Sequence, residues 1–190
     1  MKSKKIKKGD FGYLGKNKIK QLTITLFLLL MVLLIYFTGY IKYHNTKNIY
    51  TVLACVSAIP CAKFAVAYIV LFPYKSIQET KYKEALSNIS PEADIKTLCD
   101  LVISSPEKLY FIPFGAVKDN SFFYYISDDK YDLVKTDKYI RSFLETECKV
   151  SAVKGFKDFE KFKKSINSMA KNESGKFDKR ITELLLIYSL

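Results

Sequence analysis

The stretch LTITLFLLLMVLLIYFTGY, residues 22–40, contains no charged side chain, and a second apolar stretch follows at residues 49–73. A helix rises 1.5 Å per residue, so the first stretch reaches about 28 Å, close to the hydrocarbon thickness of a bilayer. Residues 41–48 between the two are too few for a domain. The sequence therefore predicts an N-terminal two-helix transmembrane hairpin followed by a small α/β domain with a mixed sheet, residues 74–190.

A cleaved signal peptide is the alternative for the first stretch. Signal peptides have an apolar core of about 7 to 15 residues, followed by small side chains at the cleavage site. The sequence Phe-Thr-Gly-Tyr at residues 37–40 fits that pattern poorly. The first stretch is therefore predicted to remain as a membrane helix.

Lysines predict the orientation of the hairpin. Residues 1–21 hold eight lysines, whereas the loop at residues 41–48 holds two, and lysine near the end of a span is retained on the cytoplasmic side. Both termini are therefore predicted to be cytoplasmic, in a two-span protein of the plasma membrane. The N-terminal lysines are also candidates for contact with anionic lipid, worth about 1 kcal/mol each. They are Lys2, Lys4, Lys5, Lys7, Lys8, Lys16, Lys18 and Lys20.

The distribution of charge argues against nucleic acid as a partner. The formal charge is +12, but residues 1–73 contain eleven lysines and one acidic residue, Asp10, which leaves a charge of only +2 for residues 74–190. A nucleic-acid-binding domain needs its cations on the folded surface. The lipid bilayer is therefore the partner that the basic excess predicts.

Lys63 lies near the middle of the second apolar stretch, where a lysine costs roughly 2.5 to 3.5 kcal/mol. In one interpretation, Pro60 kinks the helix and the lysine stem extends toward the headgroups. In another, Lys63 meets a carboxylate of a partner membrane protein. A transport role would need more spans, which self-association into a homo-oligomer would provide.

Apolar periodicity predicts the elements of residues 74–190. Asp137 to Cys148 is a predicted helix with Ile140, Phe143 and Leu144 facing inward. A strand joined to the next strand through a helix is usually parallel to it, so a mixed sheet is expected. The other predicted helices are a juxtamembrane helix at 74–89, a helix at 90–103, a helix carrying Phe156, Phe159, Phe162, Ile166 and Met169, and a final helix at 178–186 with Ile181, Leu184 and Leu185 inward. Two strands at 109–114 and 121–127 are predicted to form a hairpin, and Pro113 favours an edge position for the first of them. Short strands are also predicted at 131–134 and 149–153.

The sequence contains no recognisable catalytic set. Its single histidine, His44, lies in the loop between the two apolar stretches, which excludes histidine-based catalysis and metal binding in residues 74–190. The four cysteines, which include Cys99 and Cys148, form no Cys-x-x-Cys pair. No glycine-rich phosphate loop is present either. No cofactor is therefore indicated, and a non-catalytic protein is favoured.

One acidic cluster remains, formed by Asp128, Asp129 and Asp132. Its spacing resembles the Asp-Asp-x-x-Asp motif of isoprenoid synthases, which would imply magnesium-diphosphate binding. That family carries the motif on a helix together with a second aspartate motif, whereas this cluster follows a strand-like run. A solvated turn is therefore the favoured interpretation.

The predicted order of helix, three strands, helix and strand also resembles the core of restriction-endonuclease-like nucleases. That resemblance would imply a metal-binding acid at Asp128 and a second pair formed by Asp132 and Lys135. The spacing departs from the family pattern by one residue, and the near-neutral domain offers little attraction for a phosphodiester backbone.

The leading hypothesis is a membrane-anchored, non-catalytic protein that presents a cytoplasmic α/β domain to a partner protein. The alternative is a subunit of a larger membrane complex that assembles through its spans and Lys63. A third hypothesis is a degenerate or active nuclease-like domain.

Overall fold

A computed structural model describes residues 6–87, 89, 94–128 and 130–190 of the chain. It contains two compact units. One is the helical hairpin of residues 14–75, and the other joins residues 1–13 to residues 76–190. The hairpin is therefore an insertion whose two ends both enter the same α/β unit.

The hairpin consists of α1 (Tyr13–Tyr43) and α2 (Ile49–Leu71). Both helices are long and apolar enough to cross a membrane, and only 6% and 11% of their most apolar stretches are buried. Two long apolar helices were predicted, and they are confirmed. α1 begins earlier than expected and includes Lys18, whose Nζ donates to Phe72 O at 3.0 Å and to Tyr74 O. Lys18 thus caps the carbonyl end of α2, where a positive charge is favourable.

Small side chains allow α1 and α2 to pack closely. Cys61 Sγ lies 3.6 Å from Thr25 O, and a Cβ added to Gly39 would collide with Tyr50. On each helix, one series of less exposed positions recurs at alternating intervals of four and three residues, as in a coiled coil. They are Leu14, Lys18, Gln21, Thr25, Leu28, Val32, Ile35 and Gly39 on α1, and Tyr50, Ala54, Ser57, Cys61, Phe64, Tyr68 and Leu71 on α2.

The α/β unit is built on a four-stranded mixed sheet in the order β1-β2-β3-β4. The first three strands are antiparallel, and β4 runs parallel to β3 after crossing over through α4. The mixed sheet and the parallel crossover were predicted and are confirmed. The elements are α3 (Glu79–Ser87), β1 (Lys96–Ser104), β2 (Leu109–Lys118), β3 (Ser121–Tyr125), α4 (Leu133–Glu145), β4 (Ala152–Phe156), α5 (Phe159–Ala170) and α6 (Asp178–Tyr188).

Helices cover both faces of the sheet. On one face, α4 and α6 pack on strand residues such as Phe122, and on the other face α3 and α5 pack on residues such as Phe114. Of the predicted inward positions that lie on α4, α5 and α6, Phe159 is half-buried and all the others are buried. The buried positions are Ile140, Phe143, Leu144, Phe162, Ile166, Met169, Ile181, Leu184 and Leu185.

The prediction of a helix at 90–103 is wrong, since β1 occupies most of that range; residues 90–93 lie outside the described part of the chain. β1 is buried on both faces from Leu98 to Ile103, so its sequence shows no alternation that would identify a strand. The predicted strand at 131–134 is also wrong. Asp132 is instead the N-cap of α4, its Oδ1 accepting from Val134 N at 3.0 Å.

Three other predictions need correction. Pro113 does not mark an edge strand, since β2 pairs with a strand on each side. Asp100 and Pro113 are left unpaired within the β1–β2 register, and Asp100 has a φ of 54°. The strand expected at 149–153 lies at 152–156, so Phe156 belongs to β4 rather than to α5. The juxtamembrane helix is confined to α3, because residues 72–78 are non-helical.

Both chain ends cover the outer edge of β1. We name residues 6–12 the N-terminal strap. In the strap, Gly9 O accepts a hydrogen bond from Cys99 N at 2.7 Å. At the other chain end, Leu190 N donates to Val102 O at 2.9 Å, and Lys8 Nζ donates to Ser189 O, which joins the two ends. Covering an edge strand in this way blocks pairing with another chain.

Candidate functional site

A surface cleft with a volume of about 380 Å³ opens between the β1–β2 turn and α4. We name it the α4 cleft. Its lining combines aromatic, hydroxyl and charged side chains, in contrast to the apolar core beneath it. The lining residues are Ser105, Pro106, Glu107, Tyr110, Lys135, Lys138, Tyr139 and Ser142.

Local structure positions both walls of the cleft. Ser105 Oγ accepts from Lys108 N at 3.0 Å and donates to Lys108 O at 2.6 Å, which closes the β1–β2 turn. On the other wall, the Asp132 cap fixes the start of α4. The four lining residues of α4 follow one another at intervals of three, one and three residues, so they form a single stripe on the helix.

Two aromatic rings line the floor of the cleft, Tyr110 and Tyr139, and they belong to a longer row of ring contacts. The Tyr110 ring lies 5.8 Å from Tyr131 and 5.7 Å from Tyr139, between ring centroids. Tyr139 lies 5.8 Å from Phe143, which stacks on Tyr188 at 4.5 Å. Aromatic surfaces of this kind are enriched at protein interfaces, because they offer a large contact area at a small entropy cost.

The cleft is weakly cationic. The Lys108 ammonium lies 5.1 Å from the Tyr110 ring and 5.5 Å from the Tyr131 ring, and Lys135 and Lys138 are exposed at its rim. Glu107 is the one acidic residue in the lining. Burial raises the pKa of the Tyr110 phenol, whose hydroxyl can both donate and accept a hydrogen bond. This arrangement suits an acidic peptide with an apolar or aromatic anchor.

The structure describes two of the three carboxylates of the predicted acidic cluster, those of Asp128 and Asp132. Asp128 Oδ1 accepts from Lys130 N at 3.0 Å, and Asp132 caps α4, so both carboxylates serve local backbone groups. Asp129 lies outside the described residues. Lys135, the predicted partner of Asp132, lines the α4 cleft. Within the described ranges, no group of three His, Cys, Asp or Glu side chains is placed to hold a metal ion.

The predicted lipid-contacting lysines differ in whether they form hydrogen bonds within the chain or are exposed. Lys8 and Lys18 make the intramolecular bonds described above, whereas Lys7, Lys16 and Lys20 are exposed. Lys2, Lys4 and Lys5 lie outside the described residues.

Lys63 is exposed on α2, two residues beyond Cys61, which contacts α1. Its side chain therefore lies on the outer face of the hairpin. His44 is exposed in the loop between α1 and α2, as predicted from its position. Burial raises the pKa of the Cys99 and Cys148 thiols, which keeps them protonated and unreactive.

Another polar cluster was not anticipated from the sequence. Tyr124 OH donates to Asp137 Oδ1 at 2.5 Å, and the same oxygen accepts from Gly155 N at 2.9 Å. Burial raises the pKa of the half-buried Asp137 carboxyl. These bonds tie α4 to β3 and β4, so the cluster has a structural role.

The α4 cleft was also missed. Its stripe of lysine, tyrosine and serine on α4 was a recognisable signal, but the helix was predicted to start at residue 137, which left Lys135 outside it. The opposite wall is formed by the β1–β2 turn, which could not be placed because most of β1 was predicted to be helical.

Comparison with protein-family models, with curated proteins and with solved structures finds no match for this chain. The order α3-β1-β2-β3-α4-β4 repeats the types of element that suggested a nuclease-like core, although the predicted helix at 90–103 is replaced by β1 and the predicted strand at 131–134 by the start of α4. That resemblance therefore rests on the order of elements alone.

Proposed function

We propose that this chain is a non-catalytic anchor protein of the plasma membrane. Its α1–α2 hairpin crosses the bilayer twice, and its α/β unit binds a partner protein in the cytoplasm. The exposure of the two helices supports membrane insertion, because their apolar side chains are largely exposed in the described part of the chain.

The observation that carries the proposal is the shared unit formed by both flanks of the hairpin. Gly9 O accepts from Cys99 N, and the Phe11 ring stacks on Tyr82 at 4.4 Å. Residues on both sides of the hairpin thus fold together, which requires them to lie on the same side of a membrane. A hairpin of two spans meets this requirement, whereas cleavage near Tyr40 would remove the strap.

The cytoplasmic side is favoured by charge. The eight lysines ahead of residue 22 outnumber the two in the 41–48 loop, and short lysine-rich flanks are retained in the cytoplasm. Because the α/β unit contains the strap, it shares that side.

The α4 cleft is the surface that we assign to the partner. Its aromatic floor provides an apolar contact area, and Lys108, Lys135 and Lys138 favour a partner segment rich in Asp or Glu. Val134, 77% exposed on the first turn of α4, extends the apolar surface next to the lysines.

Reversing the charge at the cleft is expected to release the partner. We expect the Lys135→Glu/Lys138→Glu variant of the full-length protein, purified in mild detergent, to lose its main co-purifying protein by at least about tenfold, since like charges across an interface cost several kcal/mol. Quantitative mass spectrometry of the purified material measures this. The matched control is Lys161→Glu/Lys164→Glu on exposed positions of α5, which should leave the partner bound. Equal recovery from both double variants would contradict the assignment.

A second candidate function has one observation in its favour. Lys63 lies on the outer face of the hairpin, where it is accessible to a carboxylate of another membrane protein. In that case the chain is a subunit of a membrane complex assembled through its spans. Lys63→Leu would then abolish co-purification, whereas the leading proposal expects the partner to be retained by this variant.

A further inference from the structure

We propose that a groove on the α1–α2 hairpin binds one anionic phospholipid of the cytoplasmic leaflet. This inference rests on the proposed insertion of the hairpin into the membrane. It goes beyond a general attraction of lysines to lipid, because it assigns a defined site with an apolar wall and a charged mouth.

The groove has a volume of about 560 Å³ and lies entirely within the hairpin unit. Ile19 and Leu22 of α1 form one wall, and Tyr68 and Phe72 of α2 form the other. Ile19 is 67% exposed and Phe72 is 64% exposed, so the apolar surface of the groove is open. The remaining lining residues are Gly15, Lys18, Pro73 and Lys75.

Two local features keep the groove open at its mouth. A Cβ added to Gly15 would find no atom within 4 Å, so the space beside this part of α1 is open. The bonds from Lys18 Nζ to Phe72 O and Tyr74 O hold the beginning of α1 to the end of α2. The groove is therefore a fixed feature of the two helix ends, with the Lys18 ammonium beside it.

The positive charge of the hairpin favours an anionic ligand. Residues 14–75 include no aspartate or glutamate. Two lysines, Lys18 and Lys75, line the mouth of the groove. A basic pocket between membrane helices on the cytoplasmic side is suited to an acidic headgroup, and the apolar walls are suited to an acyl chain. An anionic phospholipid combines both.

Native mass spectrometry of the delipidated full-length protein, titrated with phosphatidylglycerol or phosphatidylcholine, tests the site. Wild type should bind one phosphatidylglycerol more than about tenfold more tightly than phosphatidylcholine, given about 1 kcal/mol for each lysine at the mouth. Lys75→Gln should weaken phosphatidylglycerol binding about fivefold for the same reason. Gly15→Leu should block the groove for either lipid without changing the charge.

Lys47→Gln is the matched control, because Lys47 is exposed in the loop at the opposite end of the hairpin. It should bind phosphatidylglycerol as wild type does. Equal affinity for both lipids, an equal effect of Lys47→Gln and Lys75→Gln, or an unaffected Gly15→Leu variant would each overturn the assigned site.

Extraction of membranes with alkaline carbonate separates failure of this site from failure of the proposed function. A wild-type chain that stays in the membrane pellet yet shows no lipid preference would overturn the lipid site alone. A chain released by carbonate would show that the hairpin does not span the bilayer, and would overturn both.

Discussion

Asp178→Ala is expected to destabilise the α/β unit by about 3 kcal/mol and to lower its Tm by roughly 12 °C. Asp178 is only 5% exposed, and its carboxylate accepts from Asp119 N at 3.1 Å, Asn120 N at 2.7 Å and Gly175 N at 2.8 Å. Asp119 and Asn120 both have a φ of 52°, which gives the β2–β3 turn a left-handed backbone. Alanine leaves these three donors without their acceptor.

Near-ultraviolet circular dichroism of the tyrosines, followed during heating of the full-length protein in detergent, measures the loss. Asp132→Ala is the matched control, because it removes the same side chain from an exposed N-cap with a single backbone bond, which costs about 1 kcal/mol. A loss from Asp178→Ala no larger than that of the control would contradict the role assigned to the carboxylate.

Gly155→Ala is expected to destabilise the same unit by about 3 kcal/mol, although it adds a single methyl group. A Cβ at this position would lie 2.7 Å from Tyr124 Cζ and 2.8 Å from its hydroxyl oxygen. The Tyr124 ring is fully buried and its hydroxyl is bonded to Asp137, so the ring can move only by giving up that bond. Thermal unfolding under the same conditions measures the effect.

Gly15→Ala provides the control for adding a methyl group. A Cβ at Gly15 meets no atom within 4 Å, and alanine favours a helix over glycine, so no loss is expected. If Gly155→Ala unfolded at the same temperature as wild type, the close packing of Gly155 on Tyr124 would be refuted.

Elements with a single buried face were predictable from the sequence. α4, α5 and α6 have apolar stripes at helical spacing, and their inward residues were identified correctly except for Phe156, which belongs to β4, and Phe159, which is only half-buried. The β2–β3 hairpin was recognisable from its aromatic strands and its polar turn. The two hairpin helices were recognisable from the length of their apolar stretches, in which Lys63 is the single charged side chain.

β1 could not be identified by the same reasoning. It pairs with β2 along one edge and is covered by helices on both faces, so six consecutive positions are buried and periodicity is lost. The helix-start pattern Ser-Pro-Glu at residues 90–92 led to a helix prediction that continued to residue 103, whereas residues 96–103 belong to β1.

Contacts between distant segments could not be predicted either. The strap lies in a lysine-rich segment whose composition indicates solvent or lipid, yet Gly9 bonds to Cys99 and Lys8 bonds to Ser189. The α4 cleft likewise depends on bringing the β1–β2 turn to α4, which are distant in the sequence. The composition of these segments indicates their charge, but it does not indicate which other segments of the chain they contact.

The most direct test of the two-span anchor is labelling of intact cells with a membrane-impermeant maleimide. Two exposed positions receive a cysteine in separate full-length variants: His44→Cys in the loop between α1 and α2, and Lys179→Cys on α6. The wild-type chain is the control, since three of its cysteines are buried and Cys55 lies within α2. The account predicts that His44→Cys is labelled in intact cells and that Lys179→Cys is labelled only after permeabilisation. Labelling of Lys179→Cys in intact cells, or protection of His44→Cys there, would contradict it.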